Sequence, residues 1–559
     1  MYTEGEEDLG SHVSSQEPWM QMTGVVPTGN DANIPDNMAP RLDLNVDWLQ
    51  IRKTPAEKID TAKEDLREQR GSNLDAQRQI EDVDISTLNK EQCFAAKIIR
   101  ENMEQDDQTL MIIMGGPGTG KSTVVKAVTK IVNETVQNNT SVLRLGTTGT
   151  AAFVIAGATC HSVLGLPINR PFMDLKGARL KSLQDRLDGT KLVIIDEISM
   201  MGKKMLDQID KRLRQASGKL TDTFGRFSVV LVGDFQQLPP VGETAMYEQD
   251  DSPGSLVYEE FQNVVILHES HRHAGLENQD RAFQQVLARC ETGSLEAEDW
   301  NVLKTRFIQN APDTSDPKWD DAPHLFHDNK SCFEYNMKKL KDIGTPITRL
   351  NAKHNNQKAA KKDSAAAQNL QAYLYLCDGA DVMLTSNLWA EVGLHNGARG
   401  KVVDFVYKDS SGPRSGVLPE AVVVQFRALD ESVAPFLPGI PNTVAIPTIQ
   451  AEWLDNGKTL MRRQFPLMLS WAYTIHKSQG KTLDLAIVDL GKSEKCSGMT
   501  LVALSRVRKL SHLIIHPISL ERLQKVNRSN SLPIIRDAYA RLHLKFNATK
   551  ECFAHLIEH

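Results

Sequence analysis

Leu110-Met111-Ile112-Ile113-Met114, followed at once by Gly115-Gly116-Pro117-Gly118-Thr119-Gly120-Lys121-Ser122-Thr123, decides the reading of this chain. The apolar run predicts a strand buried on both faces. Val124, Val125, Val128 and Ile131 recur at helical spacing and predict a helix over 124–132. Between strand and helix lies G-x-x-x-x-G-K-S. Its glycines let the backbone curl so that successive N–H groups face one anion. The helix N-terminus adds partial positive charge at the same point. The pattern assigns Gly115, Gly116, Pro117, Gly118, Thr119, Gly120, Lys121, Ser122 and Thr123 to a nucleotide-phosphate cradle. Lys121 is expected at the β- and γ-phosphates, and the Ser122 hydroxyl on Mg²⁺. A glycine-rich turn that happens to precede a lysine is the alternative. The flanking strand and helix are the context that the phosphate reading requires.

Composition bounds the rest. The chain has 559 residues, 40% hydrophobic and 24% charged, as in globular proteins of several domains. No apolar stretch of membrane-spanning length is free of charge. The acidic start, Glu4 to Asp8, argues against a secretory signal and against an Arg-rich presequence. Seven cysteines without a C-x-x-C spacing point to a reducing, intracellular setting. The formal net charge is −6. A protein that coats duplex DNA by bulk charge should be basic, so any nucleic-acid contact here must be a local groove.

Residues 1 to about 50 show no periodicity and read as disordered or peripheral, and a charged helix is expected from Thr54-Pro55 to about Arg70. Leu88-Asn89-Lys90-Glu91-Gln92 opens a helix, and the Gln92 amide, both donor and acceptor, suits an adenine edge. The strand Val142–Leu145 ends in Thr147 and Thr148, and a second small polar run carries His161 and Ser162. These four offer hydrogen bonds to a nucleic-acid backbone, with ordinary turn chemistry as the alternative. The buried run Leu192–Ile195 ends in Asp196-Glu197. Downstream of a phosphate loop, Asp196 suits Mg²⁺ and Glu197 suits the activation of water; an acidic helix cap is the alternative. Val229–Val232 leads into Gly233-Asp234-Phe235-Gln236-Gln237, where Gln237 suits the γ-phosphate. Val264–Leu267 precedes His268-Glu269-Ser270-His271-Arg272-His273. Arg272 suits a phosphate, whereas the histidines lack a ligand set for a metal. A second α/β set is expected from strands at 347–351, 381–384, 485–488 and 513–515, interrupted by a β-rich insertion at about 395–465.

These blocks, in this order over about 85–520, resemble superfamily-one DNA helicases of the PIF type (petite integration frequency), relatives of the RecD helicases. The blocks are Leu88–Gln92, Gly115–Thr123, Thr147–Ala152, Asp196–Met200, Gly233–Val241, Ser270–Arg272, Tyr473–Thr482 and Val502–Arg508. Leu206–Asp210 and Phe224-Gly225-Arg226 match the family's element between two of these blocks only in part, which keeps a helicase of the Helitron mobile-element kind in view.

The resemblance implies an α/β fold with two RecA-like P-loop domains. The first would span 85–275 and the second 276–520, with an SH3-like β-rich insertion at about 395–465. An N-terminal extension, 1–84, and a helical tail, 521–559, would flank them. It further implies Mg²⁺-dependent ATP hydrolysis driving 5′-to-3′ movement on single-stranded DNA and opening of tailed duplexes. Lys121, Glu197, Gln237, Arg272 and Arg506 would be catalytic, the two arginines as fingers on the γ-phosphate. Thr474, His476 and Ser478 would couple phosphate state to DNA. The implied setting is intracellular, nuclear in a eukaryote or else mitochondrial, and the protein monomeric or weakly self-associating. A P-loop kinase, a non-catalytic binding subunit and an RNA helicase are the competing readings.

Overall fold

The computed structural model describes residues 83–167, 171–268, 278–362, 364, 367–389, 392–407, 418–431, 433–455 and 458–557. The helix expected over 54–70, and nearly all of the 1–84 extension, lie outside them. Helix α1 (Lys90–Glu104) starts with a capping box: Asn89 Oδ1 accepts from the Gln92 N–H at 2.9 Å, and Gln92 Oε1 accepts from the Asn89 N–H at 3.0 Å. The apolar run forms β1 (Leu110–Gly115), and helix α2 runs from Lys121 to Val136. Strands β2 (Val142–Gly146), β3 (Ala158–Thr159), β4 (Leu192–Asp196), β5 (Ser228–Gly233) and β6 (Asn263–Leu267) complete a six-stranded sheet. Its order is β3-β2-β4-β5-β1-β6, and every pairing is parallel. Met111, Ile112, Ile113 and Met114 are at most 1% exposed, because a parallel sheet is covered on both faces. Parallel strands also bring their carboxyl ends to one edge. Gly115, Gly146, Asp196 and Gly233 therefore finish side by side.

The second parallel sheet has four strands, Ala472–Thr474, His324–Phe326, Ala486–Asp489 and Leu513–Ile515, in that spatial order. Two strands expected in it belong elsewhere. Thr348–Asn351 pairs antiparallel with Tyr373–Leu376. Asp381–Leu384 joins a five-stranded antiparallel sheet with Arg399–Val406, Ala421–Phe426, Thr443–Pro447 and Leu467–Leu469. Antiparallel structure thus runs from 348 to 469 and encloses the insertion expected at about 395–465. A four-residue apolar run reads alike in either kind of sheet, so its spacing could not assign it.

The last long helix, Ser531–Cys552, leaves the second domain and lies on the first. Ile535, Ala538, Leu542 and Phe546 enter the core around β1–β6. Thr549 Oγ1 accepts from the Val264 N–H of β6 at 2.9 Å, so an edge strand is covered and one of its free donors satisfied. The partly matching segment at 224–226 forms a tight turn with φ of +50°, +60° and +66° in succession. Phe224 is fully buried there, its N–H donating to Asp210 Oδ1 at 2.6 Å.

Candidate nucleotide and nucleic-acid site

The loop after β1 is tight where its glycines demand it. Gly118 and Gly120 have φ of +87° and +80°, and a Cβ on Gly115 would lie 2.4 Å from Thr119 Oγ1. Thr119 Oγ1 donates to the Gly116 carbonyl at 2.9 Å and closes the curl. Lys121 Nζ folds over the loop and donates to the carbonyls of Gly115 (2.6 Å) and Gly116 (3.1 Å). Gln92, 1% exposed, donates from Nε2 to the Thr119 carbonyl at 3.0 Å. The residue expected at an adenine edge here braces the loop from behind.

Glu197 follows β4 with φ +57°, a left-handed conformation uncommon outside glycine. Two bonds hold it there: its N–H donates to Asp196 Oδ1 at 2.8 Å, and its carbonyl accepts from Thr147 Oγ1 at 3.0 Å. Glu197 Oε2 is buried and has no hydrogen-bond partner among the described residues. Asp196 is 5% exposed, and burial first, then the Glu197 charge, pushes its carboxyl up to about 7, against the pull of Lys121. A buried carboxylate beside a second one is short of positive charge. Ser122 and Asp196 fit a divalent cation that takes its remaining ligands from water and phosphate.

The opposite wall comes from the second domain. Glu197, Gln237 and the loop Pro117–Thr123 face Gly480, Lys481, Thr482, Ser505 and Arg506 across a cleft of about 530 Å³. Arg506 is 5% exposed. Its Nε donates to the Val502 carbonyl (2.6 Å), Nη1 to those of Ser478 (3.3 Å) and Lys481 (2.9 Å), and Nη2 to Ser505 Oγ (2.9 Å). Gln237 Nε2 donates to Asp234 Oδ2 at 3.2 Å. Arg272 lies outside the described residues.

The residues expected at DNA divide between the two sheets. Thr147 is committed to Glu197, and Thr148 Oγ1 accepts from the Ala151 N–H at 3.2 Å, starting the helix Gly149–Val154. Ser162 is exposed and exchanges hydrogen bonds with Thr159; His161 is half-buried, and burial lowers its pKa. Thr474 leads into the short helix Ile475–Ser478. His476 is pushed down to about 4 by burial and lies 3.5 Å from Cys496 Sγ. Ser478 is fully buried and donates to the Ile475 carbonyl at 2.7 Å, so in this structure it is not presented to a ligand.

Several cleft residues escaped the sequence reading. Thr87, Lys481, Thr482 and Ser505 line it, the last three within the motif blocks and Thr87 just before the first of them. Lys481 Nζ donates to the Gly397 carbonyl at 3.0 Å, and Thr150 Oγ1 to the Asn396 carbonyl at 3.3 Å. The turn at 396–397 thereby ties the β-rich region to both parallel domains. Glu291 lies over Gly116, where a Cβ would meet its Oε1 at 3.1 Å. Its carboxyl is pushed up to about 8 by burial and by Asp234, with Lys121 opposing. Nothing in the sequence around Glu291 marks it.

Residues 87–300 match the family described as PIF1-like helicase. The chain is 29% identical over 408 residues to the ATP-dependent DNA helicase PIF1 of Danio rerio, covering 71% of this chain and 57% of that protein. It is 29% identical over 451 residues to the ATP-dependent DNA helicase Pif1 of Psychrobacter sp., covering 72% of this chain and 65% of that one. The chain thus spans less than two thirds of the length of these relatives. The crystal structure of the Pif1 helicase from Candida albicans superposes with a TM-score of 0.60 at 24% identity, covering 81% of this chain and 99% of that one. That likeness carries the fold, a pair of RecA-like domains.

Proposed function

We propose that this chain, a relative of the PIF1-like helicases, is an ATP-dependent DNA helicase that moves 5′ to 3′ on single-stranded DNA. The observation that carries the reading is the cleft in which Lys121, Glu197 and Gln237 of one parallel domain face Arg506 of the other. A kinase with the same loop does not need that second wall. Lys121 and the loop amides hold the β- and γ-phosphates. Ser122 and Asp196 hold Mg²⁺, which when bound neutralises charge developing on the phosphate oxygens. Glu197 Oε2, buried and without a hydrogen-bond partner among the described residues, orients the attacking water and takes its proton. The water oxygen bonds to the γ-phosphorus as the bond to the β–γ bridging oxygen breaks. Gln237 senses the γ-phosphate, and Arg506 spreads its charge, joined by Arg272.

Nucleotide binding draws Arg506 toward the phosphates and closes the cleft. The strand grips, Thr147, Thr148, His161 and Ser162 on one domain and Thr474 and His476 on the other, then shift relative to each other. Seven free cysteines fit a reducing intracellular setting, nuclear in a eukaryotic host. Among the described residues no helix is long and apolar enough to cross a membrane.

The test is ATP turnover by the purified chain with single-stranded DNA, with RNA and with neither, followed by unwinding of 5′- and 3′-tailed duplexes. Stimulation by DNA and opening of 5′-tailed substrates are expected. Turnover indifferent to nucleic acid would refute the helicase reading. Equal rates on both tails would refute the direction alone.

A further inference from the structure

Gln237 reaches the cleft on a loop whose shape depends on Asp234. Asp234 is fully buried at the end of β5, and three groups converge on its carboxylate. Oδ2 accepts from Gln237 Nε2 at 3.2 Å, and Oδ1 accepts from the Gln236 N–H at 3.0 Å. The third donor comes from some three hundred residues downstream: the Tyr539 hydroxyl, on the helix Ser531–Cys552, donates to Oδ1 at 2.8 Å. Burial, and then the Asp234 charge, raises the pKa of the Tyr539 phenol, so it stays a donor across the working pH range. Binding one hydrogen of Nε2 to Asp234 fixes the plane of the Gln237 amide and leaves the second hydrogen to point elsewhere.

The other face of this loop touches the second domain. Gly498 has φ +77°, and a Cβ on it would lie 2.5 Å from the Gln236 carbonyl oxygen and 3.0 Å from that of Gln237. Gly498 precedes the helix Met499–Leu504, which leads directly to Ser505 and Arg506. The loop is thus held between a returning C-terminal helix and the start of the helix that leads to the opposing arginine.

From this convergence we infer that Tyr539 is a positioning residue for γ-phosphate recognition: through Asp234 it holds the Gln237 amide in register with the cleft, making the C-terminal helix part of the nucleotide sensor. The inference rests on the proposed nucleotide cleft and adds a residue to it. It assigns the helix a task beyond covering β6.

The experiment measures the Kd of ADP and of a non-hydrolysable ATP analogue for the full chain, Tyr539→Phe, Gln237→Ala and the double variant. Tyr539→Phe removes one hydroxyl and keeps the ring that packs against the first domain. Losing a hydrogen bond to a charged group should weaken the triphosphate analogue by about tenfold, with ADP changed less than about twofold. In the Gln237→Ala background the same substitution should add no further loss, because the two residues act in one chain of contacts. A merely structural role would weaken both nucleotides alike, or act equally in both backgrounds, and either result overturns the inference. An unchanged ratio in Tyr539→Phe overturns it too, while leaving the cleft in place. If the unmodified chain binds neither nucleotide, the cleft assignment itself fails and this inference with it.

Discussion

Replacing Arg506 probes both walls of the cleft at once. In the structure its guanidinium donates to three carbonyls and to Ser505 Oγ, partners that belong to its own domain. It is 5% exposed, so these bonds stand in for water. To meet a γ-phosphate the guanidinium must exchange some of these partners, which the planar fork allows without losing all of them. Arg506→Ala therefore removes two things. It removes transition-state charge, which for an arginine finger costs about a thousandfold or more in kcat, or about 4 kcal/mol. It also takes a donor from three carbonyls: those of Ser478 and Val502 keep one, from the Lys481 N–H and from Ser505 Oγ, whereas that of Lys481 is left short, at about 1–3 kcal/mol if water cannot reach it. Arg506→Lys separates the terms. It keeps the charge but offers donors from a single nitrogen, which cannot span carbonyls on both sides of the 478–481 loop. Single-turnover hydrolysis with saturating single-stranded DNA reads the first effect, and thermal unfolding of the nucleotide-free protein reads the second. Nucleotide affinity should stay within about threefold, under 1 kcal/mol. We expect the alanine variant to lose at least a thousandfold in rate and the lysine variant to recover only part of it. A loss below about tenfold in Arg506→Ala would mean that the guanidinium never leaves its carbonyls for the phosphate.

Lys121→Ala should abolish turnover while the fold survives, since among the described residues its hydrogen bonds go to carbonyls of its own loop; unchanged turnover would remove the phosphate site. Glu197→Gln keeps the size of the side chain but cannot take a proton, so it should bind ATP and DNA and hydrolyse slowly; a variant that fails to bind ATP would exclude Glu197 as simply the base. The raised pKa of Asp196 sets a pH dependence. The folded chain keeps a proton there that the unfolded chain gives up from about pH 4 onward, so this stability is present at low pH and is lost as pH rises toward about 7. Without Mg²⁺ or nucleotide, Asp196→Asn should melt above the unmodified chain at pH 8 and together with it near about pH 4. Equal melting at pH 8 would show that Asp196 carries no such burden.

Much of the first domain is written locally. Runs such as Met111–Met114 and Val193–Ile195 are buried on both faces of a parallel sheet, so they are apolar throughout and legible without partners. The phosphate loop is legible for the same kind of reason: Gly118 and Gly120 adopt φ values that other residues avoid, and Lys121 follows at fixed spacing. Asp196-Glu197 and Gln237 follow strand ends, and parallel pairing necessarily gathers strand ends on one edge.

Other features depend on contacts between distant residues and leave no local mark. Thr348–Asn351 and Asp381–Leu384 pair antiparallel because of their partners, which a four-residue run does not specify. Ser478 is written like a ligand-facing serine, yet packing turns its hydroxyl to the Ile475 carbonyl. Asp234, Glu291 and Tyr539 converge from a strand end, a helix terminus and the final long helix, and their proximity exists only once that helix has returned to the first domain. The sequence by itself determined the shape of the candidate phosphate loop, because that shape is built within a single turn of backbone. The tertiary structure alone decided how the turn is held and what faces it, because those are pairings across hundreds of residues that no local spacing encodes.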